Sequence, residues 1–180
     1  MEEKNNLPRN KINITTQKMT GGIGLILGVL VVVPKIGILL SIVGNVLLII
    51  SIYQISNMLK KQAIFNRFII GFVLGLIIRI IALFFKFVGI RMFSGMSIGM
   101  FATIILVYIL AVASTYFSKQ AYSMLANALH HKLFSTAGLL MFIGAITIIL
   151  FGLGLILIFI GWIVLAVAFF TAPEEVEVVG

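Results

Sequence analysis

Acidic residues are missing from almost the whole chain: none lies between Glu3 and Glu174, whereas all 13 Lys and Arg residues fall inside that interval. Cysteine is absent altogether, which excludes disulfides, thiolate nucleophiles and sulfur metal sites and leaves the redox compartment open. Without internal carboxylates there is no acid/base carboxylate pair and no acidic group for proton-coupled transport through the membrane. The HExxH pattern, a glycine loop ending in GKS or GKT, and Cys/His nucleophile pairs are also missing. Charged residues make up only 10% of the sequence, too few to coat a soluble domain of this length.

What is there belongs in a bilayer. The chain is 62% hydrophobic, with a mean hydropathy of +1.25, and its basic residues collect between long apolar runs, where Lys and Arg set orientation. They stand singly or in pairs, without the clustered basic face that nucleic acid requires. Their natural partners are the lipid bilayer and its anionic headgroups. Residues 1–18 are polar and run directly into an apolar segment with no small-residue cleavage site, so they read as a retained tail.

Residues 20–53 form one apolar run broken only by Pro34 and Lys35, and residues 137–171 form another with no charge. As straight helices each would reach about 50 Å at ~1.5 Å per residue, well beyond a hydrocarbon core of ~30 Å. Each must therefore fold back, at VVVPKIG in the first and at FGLG in the second. The expected architecture is an all-α integral membrane helical bundle of about six transmembrane helices in three hairpins, with spans at 19–33, 36–59, 68–88, 95–117, 137–151 and 153–171. The first arm of each outer hairpin is short, so full spans and re-entrant or bilayer-thinning hairpins both fit. Residues 119–134 carry Tyr122, Leu125, Leu129 and Leu133 on one helical face. They read either as an amphipathic helix in the interface or as the fourth span continued into water. The acidic tail, 173–180, is expected to be disordered.

The outer hairpins resemble each other. Thr20, Gly22 and Gly28 match Thr136, Gly138 and Gly144 at one offset, and Gly37, Leu40, Gly44 and Leu48 match Gly154, Leu157, Gly161 and Leu165 at an offset one residue longer. That pattern suggests a duplicated hairpin, and with six spans the copies run parallel.

Arg79 stands deep in the third span, where insertion scales charge about 2.5–3.5 kcal/mol for it. Gly71, Gly75, Arg79, Ala82 and Lys86 share one helical face, and the small residues there let another helix approach. No membrane carboxylate exists to pair with Arg79. Its partners are backbone carbonyls, polar side chains such as Asn45, Tyr108 or Ser41, a lipid phosphate or a bound anion; alternatively it snorkels outward beside Lys86. Asn45, in mid-span beside Gly44, reads first as an interhelical hydrogen-bonding residue and second as a substrate contact. Arg79, Lys86 and Asn45 are thus the candidate ligand- or lipid-binding residues. Gly24 with Gly28, Gly71 with Gly75, and Gly95 with Gly99 are candidate helix-packing pairs, within the bundle, in a homo-oligomer or against a membrane protein partner. His130 and His131 are adjacent and diverge on a helix, so no metal site is expected, and nothing calls for a cofactor.

At the hairpins, TGGIGLILGVLVVVPKIGILLSIVGNVLLIISIYQIS and STAGLLMFIGAITIILFGLGLILIFIGWIVLAVAFF, together with IFNRF and YFSKQAYSMLA between them, the chain resembles the archaeal and bacterial membrane proteins grouped as domain of unknown function 996. The resemblance spans about residues 16–172. It implies a polytopic, archaeal-type membrane protein with no assigned activity, and it supplies no functional residues.

The reading that follows is a non-enzymatic multi-pass cell-membrane protein, a scaffold or accessory subunit binding lipid or partner proteins. The rival is a small-solute or anion permease or channel in which Arg79, Lys86 and Asn45 line a polar path in an oligomer. An enzyme would have only Ser, Thr, Tyr, Lys and His as reacting groups. The basic residues of the N-terminal tail, of 60–67 and of 119–132 outnumber Lys35, Lys86 and Arg91 on the opposite side, which puts both termini in the cytoplasm. Single cysteines placed in turn at Asn5, Lys35, Lys60, Ile90 and Gly180 should react with an impermeant thiol reagent from outside only at Lys35 and Ile90; labelling at Lys60 would reverse the orientation.

Overall fold

The computed structural model describes residues 9–33, 35–88, 98–150 and 152–179. The fold is all-α apart from one short ribbon: β1 (Arg9–Asn13), α1 (Thr15–Val29) ending in a 3-10 turn (Leu30–Val32), α2 (Gly37–Met58), α3 (Gln62–Val88), α4 (Ile98–Ala128), α5 (Leu133–Thr147), α6 (Leu153–Thr171) and β2 (Glu175–Val179). Among these, α2, α3, α4 and α6 are long and apolar enough to cross a membrane, and α5 is apolar but shorter.

Each helix packs against its neighbours in sequence, and α6 returns against α1, so the six helices close into a ring. The three hairpins expected from the apolar runs are present as α1–α2, α3–α4 and α5–α6. Both outer turns use a left-handed residue, Lys35 (φ 70°) in the first and Gly152 (φ 78°) in the second. At Gly152 the absence of a Cβ removes the cost of that conformation.

Backbone contact holds each outer hairpin. A Cβ on Gly24 would lie 2.7 Å from the Gly44 carbonyl oxygen, and one on Gly144 would lie 2.7 Å from that of Gly154. Lipid offers apolar side chains as good an environment as another helix does, so close approach through small residues is what drives association. Gly44 and Gly161, matched by sequence, do not occupy matching contacts. Gly44 sits against Gly24 and Gly28, whereas its counterpart Gly161 sits against Ala137 and Met141. The second hairpin is therefore slipped by roughly one helical turn (~3.6 residues) relative to the first.

The tails depart from expectation. Residues 9–13 and 175–179 pair as an antiparallel ribbon instead of forming a polar tail through residue 18 and a disordered acidic tail. The cause is complementarity: β1 is basic, β2 is acidic, and both alternate. Lys11 pairs with Glu175 at 3.2 Å, while Val176, opposite Ile12 in register, is buried. Ile14 N–H donates to the Glu174 carbonyl at 2.8 Å. Lys18, buried, donates to the Ala172 carbonyl at 2.9 Å and pairs with Glu174 at 3.4 Å. This clasp draws α1 one turn further back than the apolar run suggests, to Thr15, where the Asn13 side chain accepts the Thr15 N–H at 2.9 Å.

Of the two readings of residues 119–134, the structure takes the continued fourth helix. The chain continues as α4 to Ala128, breaks at His130 (φ 52°) and restarts as α5 at Leu133. Tyr122, Leu125 and Leu129 are buried in the bundle, because α3 and α5 offer them a packed apolar surface. The core lies toward the ribbon end, where Ile52, Ile55, Ile64, Phe68, Leu125, Phe134, Leu165 and Phe169 are buried together. Toward the opposite end the outward faces are apolar and exposed, as at Ile38, Ile80, Phe101 and Leu155.

Gly71 lets α3 meet α4: a Cβ there would lie 2.8 Å from the Ser114 carbonyl oxygen, while one on Gly75 would make ordinary contact, 3.5 Å from Ser114 Oγ. Gly71→Ala should therefore cost about 1–3 kcal/mol of stability, read as a lower midpoint in denaturant for the detergent-solubilised protein. Gly75→Ala should be neutral or stabilising, since alanine is the better helix former.

Candidate intramembrane binding site

Where the packed end gives way to the looser one, a cavity of about 130 Å³ opens between five helices. Asn45 and Leu48 of α2 line it, with Gly71, Gly75 and Arg79 of α3, Ser114, Thr115 and Ser118 of α4, Met141 of α5, and Ile158 and Trp162 of α6. Toward the ribbon it is floored by Phe68 and Tyr122, both buried. Arg79 and Asn45, proposed from sequence, thus come together within one chain, from different hairpins.

The polar atoms of this cavity are mostly spent. Ser114 Oγ donates across to the Gly71 carbonyl at 2.7 Å. Thr115 donates back along α4 to Ala111 at 3.0 Å, and Ser118 to Ser114 at 3.0 Å. Asn45 Nδ2 donates to the Ser41 carbonyl of its own helix at 2.7 Å, so the expected interhelical bond is replaced by an intrahelical one. A ligand here meets these hydroxyls as acceptors rather than donors.

Arg79 is the exception. It is exposed, and among the described residues it has neither a hydrogen bond nor an ion pair. Its guanidinium carries five N–H donors and a permanent positive charge, and no carboxylate exists anywhere along the helices to answer it. The other sequence candidates are distributed elsewhere. Lys86 continues α3, but its side chain lies outside the described part of the chain, as does Gly95; Gly99 falls in the first turn of α4. Tyr108 faces α5, donating to the Ile146 carbonyl at 3.0 Å. Gly24 and Gly28 serve the α1–α2 contact, with Gly28 also 3.7 Å, measured from an ideal Cβ, from Trp162.

Sequence reasoning missed Ser114, Ser118 and Trp162. The signal was present: Ser114 and Ser118 repeat at the four-residue spacing of Gly71 and Gly75, and small residues at matching intervals on successive helices mark a shared face. Of the histidines, His131 bonds Thr171 Oγ1 at 2.9 Å and lies edge-on to Phe134, fastening the α4–α5 turn to the end of α6 at the ribbon end.

The family described as "Protein of unknown function (DUF996)" matches residues 40–163. The chain is also similar to an uncharacterized protein of Methanocaldococcus jannaschii, MJ1644, at 31% identity over 176 residues, covering 93% of this chain and 97% of that one. No solved structure matches it. With a family match over most of its length and a relative aligned nearly end to end, the chain belongs to the DUF996 family.

Proposed function

We propose that this is a non-enzymatic, multi-pass membrane protein that binds a small, partly apolar anion in its intramembrane cavity, with Arg79 as the charge-recognising residue. All six helices are embedded as three hairpins and both termini are cytoplasmic. The observation that carries the reading is the convergence of Arg79 and Asn45 on one cavity while Arg79 lacks any counter-charge. An unpaired cation at this depth is costly, and an anion supplies what the chain does not. The walls, aliphatic and aromatic apart from hydroxyls already donating, suit an alkyl or aryl remainder. The serine and threonine hydroxyls that share the cavity with Arg79 already donate to backbone carbonyls, which supports binding over catalysis, and accessory or scaffold roles follow from what is bound.

A permease is the second reading. The buried layer of Ile52, Phe68, Tyr122 and Leu125 seals the ribbon side of the cavity, the arrangement expected of a carrier closed on one face. Descent of the outer hairpins from one ancestral hairpin belongs to the same proposal. The matched glycines and paired left-handed turns support it, and the register slip is the change a one-residue insertion at the turn would begin.

The chain has one tryptophan, and Trp162 lines the cavity. Bromohexanoate, an anion carrying a heavy-atom quencher, should quench its fluorescence saturably in reconstituted protein. Arg79→Gln should weaken that quenching about tenfold, the loss of one charge-assisted hydrogen bond of ~1.5–3 kcal/mol. Lys132→Gln should leave it unchanged. Equal quenching in wild type and Arg79→Gln would remove the proposal, and iodide flux into liposomes that depends on Arg79 would select the permease.

A further inference from the structure

A second hollow, unconnected with Arg79, runs along the membrane-facing side of α4 and α5. It has a volume of about 390 Å³ and is lined by Tyr108, Val112, Ala113, Tyr116, Phe117 and Phe142. Tyr108, Val112 and Tyr116 repeat every four residues, so the groove follows the α4 axis for about 13 Å at ~1.5 Å per residue. Its end nearer Tyr108 is closed by the Tyr108 bond to Ile146 on α5.

Its other end, toward the ribbon, is marked by two cations, each held over an aromatic ring of the groove itself. Arg67 lies 5.9 Å from the centroid of Phe117, and Lys119 Nζ lies 4.9 Å from that of Phe142. Gly138 allows this seam to close: a Cβ there would be 3.0 Å from the Lys119 Cα. A cation over a ring gains about 0.5–1 kcal/mol at an exposed site, enough to bias its position and far from enough to neutralise it. The acidic residues of the chain lie before α1 or after α6, and Glu174 and Glu175 at the ribbon engage Lys18 and Lys11. The counter-charge for Arg67 and Lys119 must come from outside the chain.

We infer that this groove is a binding site for one anionic phospholipid, its alkyl chain lying along α4 between Tyr108 and Phe117 and its phosphate headgroup held by Arg67 and Lys119. The charge complementarity chooses the occupant. A neutral lipid fills the groove equally well but leaves both cations unanswered, and free phosphate makes no use of a long apolar channel. The side of α4 that carries the groove is turned to the bilayer, and Lys60 and Lys61 at the same end of the bundle place Arg67 and Lys119 at headgroup level.

Native mass spectrometry of the full-length protein, released from bilayers of equal phosphatidylglycerol and phosphatidylcholine with identical chains, tests this. Wild type should retain phosphatidylglycerol preferentially. The Arg67→Gln/Lys119→Gln variant should lose that preference at least fivefold, on the order expected for two charge-assisted contacts. Lys60→Gln/Lys61→Gln, with the same change in charge, should keep it, as should the charge-preserving Arg67→Lys/Lys119→Arg. Ala113→Trp, which fills the groove and leaves both cations in place, should release the bound lipid, and this result decides the matter if the glutamine variant does not fold. Equal losses in the two glutamine variants, an undiminished preference without Arg67 and Lys119, or full retention in Ala113→Trp would each overturn the inference.

Discussion

Close approach of one helix backbone to another is the interaction on which this structure depends. Inside a bilayer, burying a leucine against a leucine gains little over burying it against lipid, so helices stay together through contacts that only small residues permit. Here those contacts recur in each hairpin: Gly24 on Gly44, Gly71 on the Ser114 backbone, and Gly144 on Gly154. Gly21 and Gly22, against the rings of Phe169 and Phe170, extend the same principle to the seam where α1 meets α6. Hydroxyls reinforce it where they reach a neighbouring helix, as Ser51 does on the Gln17 carbonyl at 2.7 Å and Ser114 does on Gly71.

Charge is handled by segregation. Near the C-terminus, Glu175 meets the exposed Lys11 in the ribbon, and Glu174 meets Lys18 in the first turn of α1, where the buried lysine finds both a carbonyl and a carboxylate. Among the described residues, Arg67, Arg79 and Lys119 receive no such partner. Exposed surface pairs contribute little to stability, so the value of the clasp lies in joining the two ends of the chain and closing the ring. An acidic residue within the spans would have answered Arg79, Arg67 or Lys119 internally. Its absence leaves them without a carboxylate from the helices.

The class of fold and the three hairpins could be read directly, because apolar runs too long for one crossing, broken by Pro34-Lys35 and by Gly152, have few other solutions. The bounds of α2 and α6 follow from the same runs. The ribbon could not be read that way. Strand pairing of residues 9–13 with 175–179 is a contact between the extremes of the sequence, and its signal, alternation over a few residues with opposite charges, is too short to stand out from a polar tail. The continuation of α4 through Lys119 to Ala128 was ambiguous for a different reason: an apolar stripe on a polar helix fits a headgroup layer or a protein neighbour equally, and only α3 and α5 decide between them. Arg79 and Asn45 could be singled out by their cost in hydrocarbon, whereas Ser114, Ser118 and Trp162 gain their meaning from juxtaposition.

The register slip between the outer hairpins explains why a cavity exists where it does. In the first hairpin Gly44 crosses Gly24 and Gly28 in the first half of α2, with Gly37 against Leu30 at the turn; in the second Gly154 crosses Gly144 close to the turn, with Gly161 against Met141 below it. Had both hairpins crossed at equivalent heights, facing residues around the ring would have met in level layers, the arrangement that fills a bundle most evenly. With one hairpin displaced by about a turn, the glycines of α3 and the serines of α4 face a ring interior whose opposite walls, Asn45 on α2 and Trp162 on α6, are out of step. The buried layer of large side chains below closes the gap on the ribbon side. Above that layer Arg79 stands in the cavity wall with Asn45 and Trp162, between two similar hairpins that differ in register.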